Sequence, residues 1–109
     1  MATYVPKNLI GPAQALTSSV ATYVSGAGVT PILRTIWAMP NTTSLTLTVS
    51  LGADAAGTRI VNGVALTNGI PYIQNMWMIG PINSAHAIDA SSNATGTQLL
   101  CNISGYEYS

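Results

Sequence analysis

The sequence predicts an all-β fold: a single-domain antiparallel β-sandwich or jelly-roll with an extended N-terminal arm. Three observations carry that expectation. Thr, Ser, Asn and Gly fill the polar positions and Val, Ile and Leu the apolar ones, a composition suited to a pleated, half-buried surface. Gly or Pro recurs every few residues as punctuation, and turn signals at spacings near 8 to 12 residues favour a sandwich or jelly-roll over a meander of hairpins. One segment, 44–51, alternates strictly, with Leu45, Leu47, Val49 and Leu51 set against Ser44, Thr46, Thr48 and Ser50, the period of a strand with one buried face.

Residues 1–19 differ from the rest. Pro6 and Pro12 interrupt helix and ladder hydrogen bonding alike, and the run from Val5 to Pro12 has no period, so it reads as an extended arm. Bearing Tyr4, Val5, Leu9 and Ile10, the arm is too apolar to stand in water. It packs along its own sandwich or lies on a neighbouring subunit.

The sandwich domain is expected over 20–109. Segment 30–39 places Ile32 and Ile36 on one face and Leu33, Trp37 and Met39 on the other, a strand covered on both sides, with Arg34 at the surface near an edge. Pro40-Asn41-Thr42 then suggests a hairpin into 44–51. A Gly-bracketed loop at 52–57 leads to short strands at 58–61 and 63–66, with Asn62-Gly63 and Asn68-Gly69 as tight turns. In 70–79, Ile73, Trp77 and Ile79 oppose Tyr72, Met76 and Met78, leaving no polar face. Residues 85–90, a loop at 91–97 and a closing strand over 98–106, with Leu99, Cys101 and Ile103 on one face, complete six to eight strands.

Charge is the other informative property. Among 109 residues there are 3 Lys or Arg, 3 Asp or Glu and 1 His, and the formal net charge is zero. Folded domains carry about a quarter of their residues as charges, so a chain this poor in them is suited to burial against other surfaces. Lys7, Arg34 and Arg59 are too few and too scattered for the positive footprint of a nucleic-acid binder. The same count disfavours a membrane surface, and no apolar run reaches the roughly 20 residues of a membrane helix. The lone Cys101 has no partner for an internal disulfide and is expected as a buried, reduced thiol.

Catalytic chemistry is not indicated. A nucleophile–base arrangement requires a His oriented by a carboxylate. His86 and Asp89 are three apart, which on a strand would put them on opposite faces. Asp54, Asp89 and Glu107 stand in no recognisable paired-carboxylate setting. One His and one Cys fall short of a zinc site, and Asp54 lacks the oxygen-ligand series of a calcium loop. Asp54 is expected to cap a turn or to pair with Arg59. No enzyme, metal or cofactor is therefore expected.

Trp37 and Trp77, with Met39, Met76 and Met78, form the conspicuous remaining set, readable as core, as subunit interface or as a carbohydrate platform. Tyr106 and Tyr108 admit the same readings. In its opening Tyr4-Val-Pro-Lys-Asn-Leu-Ile-Gly-Pro12, its central segment 48–59 and its ending Ile103-Ser-Gly-Tyr-Glu107, the chain resembles the small all-β virion proteins of tailed bacteriophages. The resemblance implies a structural role on the particle, such as a capsid decoration or cement protein, or a component of the neck, tail or fibre, and supplies no catalytic residues. The expected partners are the major capsid protein or other virion proteins and further copies of the chain, as a trimer, assembled in the host cytoplasm and located on the virion. The expected contact residues are Tyr4, Val5, Pro6, Leu9, Ile10, Trp37, Met76, Trp77, Met78, Tyr106 and Tyr108. A receptor- or carbohydrate-binding module at a fibre tip is the alternative.

Overall fold

A computed structural model describes residues 3–109 and places them in eight strands: β1 (Tyr4–Ala15), β2 (Ala21–Tyr23), β3 (Thr30–Pro40), β4 (Leu45–Leu51), β5 (Arg59–Leu66), β6 (Tyr72–Ile79), β7 (Ile88–Ser92) and β8 (Leu99–Tyr108). Two four-stranded antiparallel sheets result, one ordered β1-β8-β3-β6 and the other β2-β7-β4-β5. The first strand neighbours the last, the second the seventh, the third the sixth and the fourth the fifth. This is the double Greek-key order of a jelly-roll, so the expected sandwich is present.

The two sheets face each other through their aliphatic rows. Leu45, Leu47 and Val49 of β4, Ile88 and Ala90 of β7, and Leu99, Cys101 and Ile103 of β8 are at most 7% exposed and form one cluster with Leu33, Ile36 and Leu16. From Leu45 to Val49 the alternation of β4 means what its period suggested, with Thr46 and Thr48 on the solvent side, whereas Ser50 is buried, its hydroxyl donating to Asp54.

Residues 4–15 are not a free arm. β1 pairs with β8 from Tyr4↔Tyr108 to Ala15↔Leu100, and Thr3 and Ser109 exchange backbone hydrogen bonds of 2.7 and 3.1 Å. Leu9, Ile10 and Leu16 explain the outcome: they are 6, 5 and 0% exposed, sealed in the chain's own core. The prolines are accommodated because β1 is an edge strand, and residues 11–13 bulge out of the ladder between Ile10 and Gln14. Residues 1 and 2 of the expected arm lie outside the described residues.

Bulges also account for two other departures. Register shifts between Leu33 and Thr35, so Leu33 and Ile36 both face the core while Ile32 and Trp37 face outward. Asn62-Gly63 is not a hairpin turn. Val61 pairs with Val49 and Val64 with Leu47, leaving the two residues opposite Thr48, with Gly63 at φ 59° donating its N–H to Thr48 Oγ1. Pro40–Asn41 likewise forms no hairpin, because β3 and β4 belong to different sheets. The strand expected at 85–90 starts later and reaches Ser92, shortening the loop that was expected over 91–97.

Gly105 marks the tightest approach in the sheet. A Cβ there would overlap the Ile32 carbonyl oxygen and lie 3.1 Å from the Arg34 nitrogen, both main-chain atoms that cannot swing aside. Gly105→Ala should therefore cost at least about 1–3 kcal/mol, measured as a fall in the urea midpoint. An unchanged midpoint would contradict the packing described.

Cys101 is fully buried and unpaired, and burial pushes its thiol up to about 12. An unfolded thiol ionises near about 8.5, so the stability this group contributes is complete below that pH and is lost as pH rises toward 12. The unfolding free energy should decline between about pH 8.5 and 10 in the natural chain and less steeply in Cys101→Val. Equal slopes would show that the thiol is solvated.

Candidate interaction surface

Strand β6 stands at the edge of its sheet, with apolar side chains on both faces. Ile73, Trp77 and Ile79 point outward and are 57, 50 and 62% exposed, continued beyond the strand ends by Ile70 and Ile82 at 59 and 49%. Tyr72, Met76 and Met78 point inward against the core. With Ile60 and Val61 of β5 they line an open cleft of about 430 Å³ between the edges of the two sheets. Met76 and Met78, expected as contact residues, thus pack first on their own core.

The four sheet edges are not alike. Edge strands invite pairing, and natural proteins blunt them with Pro, Lys, bulges or shortness. β1 carries Pro6, Lys7, Pro12 and two bulges. β2 is 3 residues long. β5 has Arg59 and the Gly63 bulge. β6 has eight residues, neither proline nor charge, and one register shift against β3.

On the outward face of the same sheet four rings converge. Tyr4 lies 4.7 Å from Tyr108, 6.0 Å from Tyr106 and 6.3 Å from Trp77, and Trp77 lies 6.2 Å from Tyr106. The geometry is tilted or edge-on, as ring quadrupoles favour. Ile32, in register between Tyr106 and Ile79, is 3% exposed although it lies outside the main core, because these outer side chains close over it. Trp37 is half-buried on the same face and is not part of this group. Among the other expected contact residues, Val5 and Pro6 are exposed on β1, whereas Leu9 and Ile10 are withdrawn into the core.

The register also lays a polar row across all four strands, Asn8↔Ser104↔Thr35↔Asn75. Its short side chains, beside Gly105, leave an open depression of about 530 Å³ walled by Pro6 and Tyr106 and flanked by Arg34. Arg34 is exposed, but on an internal strand rather than near an edge.

Each of the three carboxylates anchors a small set of side chains. Asp54 accepts from Ser50 Oγ at 2.8 Å and from Arg59 at 3.0 and 3.3 Å, and the Arg59 guanidinium followed by the Ser50 hydroxyl holds its carboxyl below the usual range. Glu107 pairs with Lys7 at 3.5 Å and accepts from the Tyr23 hydroxyl. Burial, reinforced by that carboxylate, pushes the Tyr23 phenol well above its ordinary value. Asp89, 3% exposed, accepts from Thr22 Oγ1 at 2.8 Å and from the Asp54 N–H at 3.0 Å.

His86 Nδ1 lies 3.1 Å from both Asp89 oxygens. The two are not on opposite faces of a strand, because His86 sits in the turn before β7, where the chain folds its ring back over Asp89. Among the described residues no hydroxyl or thiol bonds the other ring nitrogen, and Cys101 is enclosed in the core. No group of three or more His, Cys, Asp or Glu side chains gathers among them either. The chain matches no protein-family model, no curated protein and no solved structure.

The Asp89 contacts tie β2, β7 and the β4–β5 loop together, which makes the carboxylate a structural hub. Asp89→Ala should cost about 1–3 kcal/mol by leaving Thr22 and the Asp54 N–H unpaired. His86→Ala, removing a half-exposed partner, should cost no more than about 1 kcal/mol. Chemical denaturation of both variants checks the order, and a reversed order would mean that the imidazole carries the cluster.

Proposed function

We propose that this chain is a structural protein of a tailed-phage virion, a capsid decoration protein that binds the shell and its own copies and does no chemistry. The supporting observation is β6, an edge strand free of proline and charge whose outward row, with the residues just beyond it, exposes Ile70, Ile73, Trp77, Ile79 and Ile82. Backbone groups along such an edge take up an added strand, and the apolar row supplies the burial that holds it. The scarcity of charge on the whole chain acts in the same direction, since little ionic desolvation opposes the contact. The resemblance of the 4–12, 48–59 and 103–107 segments to small phage virion proteins supplies the setting.

A trimer about a local threefold requires a heterologous contact, because two β6 edges meeting each other generate a twofold. In the proposed arrangement β6 of one copy therefore meets a different surface of the next copy or of the shell. Of the two placements the sequence leaves open for residues 4–15, along their own sandwich or on a neighbour, this arrangement uses the first, since they pair with β8.

Ile73→Lys and Ile79→Lys place charges on exposed positions of the edge without touching the core. Each variant should melt within a few degrees of the natural protein, lose self-association in sedimentation velocity, and lose occupancy on particles purified without the chain and then re-exposed to it. Undiminished association of both folded variants would refute the role of β6.

A further inference from the structure

We infer that the depression over β1, β8 and β3 is a binding site for a carboxylate-bearing saccharide. Among the described residues, Lys7 is paired with Glu107 and Arg59 with Asp54, whereas Arg34 has no carboxylate partner. It is nevertheless held in place. Its Nε donates to the Met76 carbonyl oxygen at 3.0 Å, and its guanidinium carbon lies 5.1 Å from the centre of the Trp77 ring.

That arrangement engages the Nε edge and one face of the guanidinium and leaves the two terminal amino groups for a ligand. A planar pair of donors in a fixed orientation matches the two oxygens of a carboxylate. The register produces this pose, since Arg34 is the extra residue of β3 against β8 and stands opposite both Met76 and Trp77 of β6.

The rest of the depression suits a sugar ring. Asn8 and Ser104 present an amide and a hydroxyl that can donate to and accept from sugar hydroxyls, the Thr35 hydroxyl, whose proton goes to Asn75 Oδ1 at 3.1 Å, can accept, and Lys7 completes the lining. Tyr106 and Pro6 form an apolar wall beside them, against which the C–H face of a pyranose can lie. The volume of about 530 Å³ lies in the range of small-molecule sites and is open enough to admit one residue of a longer chain. An Asp or Glu side chain of a protein partner would use the guanidinium but leave this polar row without a function, so the saccharide accounts for more of the surface. A strand added at β6 would extend the sheet on the side away from β1 and β8, so this site and the proposed docking edge can be occupied together.

Titration of the full chain with D-glucuronate and with N-acetylneuraminate, followed by amide chemical shifts, tests the inference. Saturable shifts are expected at Arg34, Ser104 and Tyr106 for at least one acidic sugar. D-glucose and acetate at the same concentrations should bind about tenfold more weakly or worse. Arg34→Gln should lose roughly tenfold or more in affinity, and Arg34→Lys, which keeps the charge without the planar fork, should recover only part of it. Asn8→Ala, an exposed edge change that leaves Arg34 untouched, should weaken binding severalfold with an unaltered melting temperature, which keeps the test valid if Arg34→Gln does not fold. Absence of saturable shifts with both acidic sugars, equal affinity for D-glucose, equal affinity for acetate, or undiminished binding by the folded variants would each overturn it.

Discussion

Strand β8 is the constraint on which the rest of this structure depends. It lies between β1 and β3, so its two faces must serve two environments, and its period of two meets both demands. Leu99, Cys101 and Ile103 seal the core at 0% exposure, while Asn102, Ser104, Tyr106 and Tyr108 alternate with them on the outer face. Gly105 adds a steric condition, because only a residue without a Cβ lets β8 come this close to the β3 backbone. A one-residue slip would bury the tyrosines and expose the aliphatic row.

From that alternation follows the unusual character of the outer face. A sheet in a two-layer fold normally presents polar side chains to water, as β4 does with Thr46 and Thr48. The β1-β8-β3-β6 sheet instead carries a second apolar cluster of four rings beside Ile32, a polar row that crosses all four strands, and exposed isoleucines of β6 on either side of that row, Ile79 next to Ile32 and Ile73 next to Trp37. Of the ion pairs only Lys7–Glu107 belongs to this sheet, and Arg34 is fixed between the ring cluster and the polar row. The sheet thus carries an apolar edge and, beside it, a polar recess lined by Lys7 and Arg34 as well as by uncharged side chains.

Much of the architecture was legible in the sequence because a period of two survives wherever a strand pairs regularly. The β4 alternation, the division of β6 into Ile73, Trp77 and Ile79 against Tyr72, Met76 and Met78, and the inward row of β8 are all direct readings of that period. It fails at bulges. Arg34 and Asn62-Gly63 each insert residues that reset the phase, and no local residue type distinguished Asn62-Gly63 as a bulge from the hairpin turn it resembles. Pairing partners were also hidden, because β1 finds β8 across nearly the whole chain and Pro6 and Pro12 masked its strand character. Arg34 and the polar row were missed as a group for the same reason: Asn8, Thr35, Asn75 and Ser104 become neighbours only through long-range register. The alternation that would separate His86 from Asp89 holds only on a strand, and His86 lies in a turn.

The account rests on the outward edge of β6 being a pairing edge rather than a permanently solvated one. Amide hydrogen exchange along 72–79 at low and high protein concentration, and on particles, measures this directly. The outward-pointing amides should exchange rapidly in dilute monomer and become strongly protected on association, while those of β1 change little. Exchange at β6 that stays equally fast at high concentration and on particles that carry the bound chain would contradict the account.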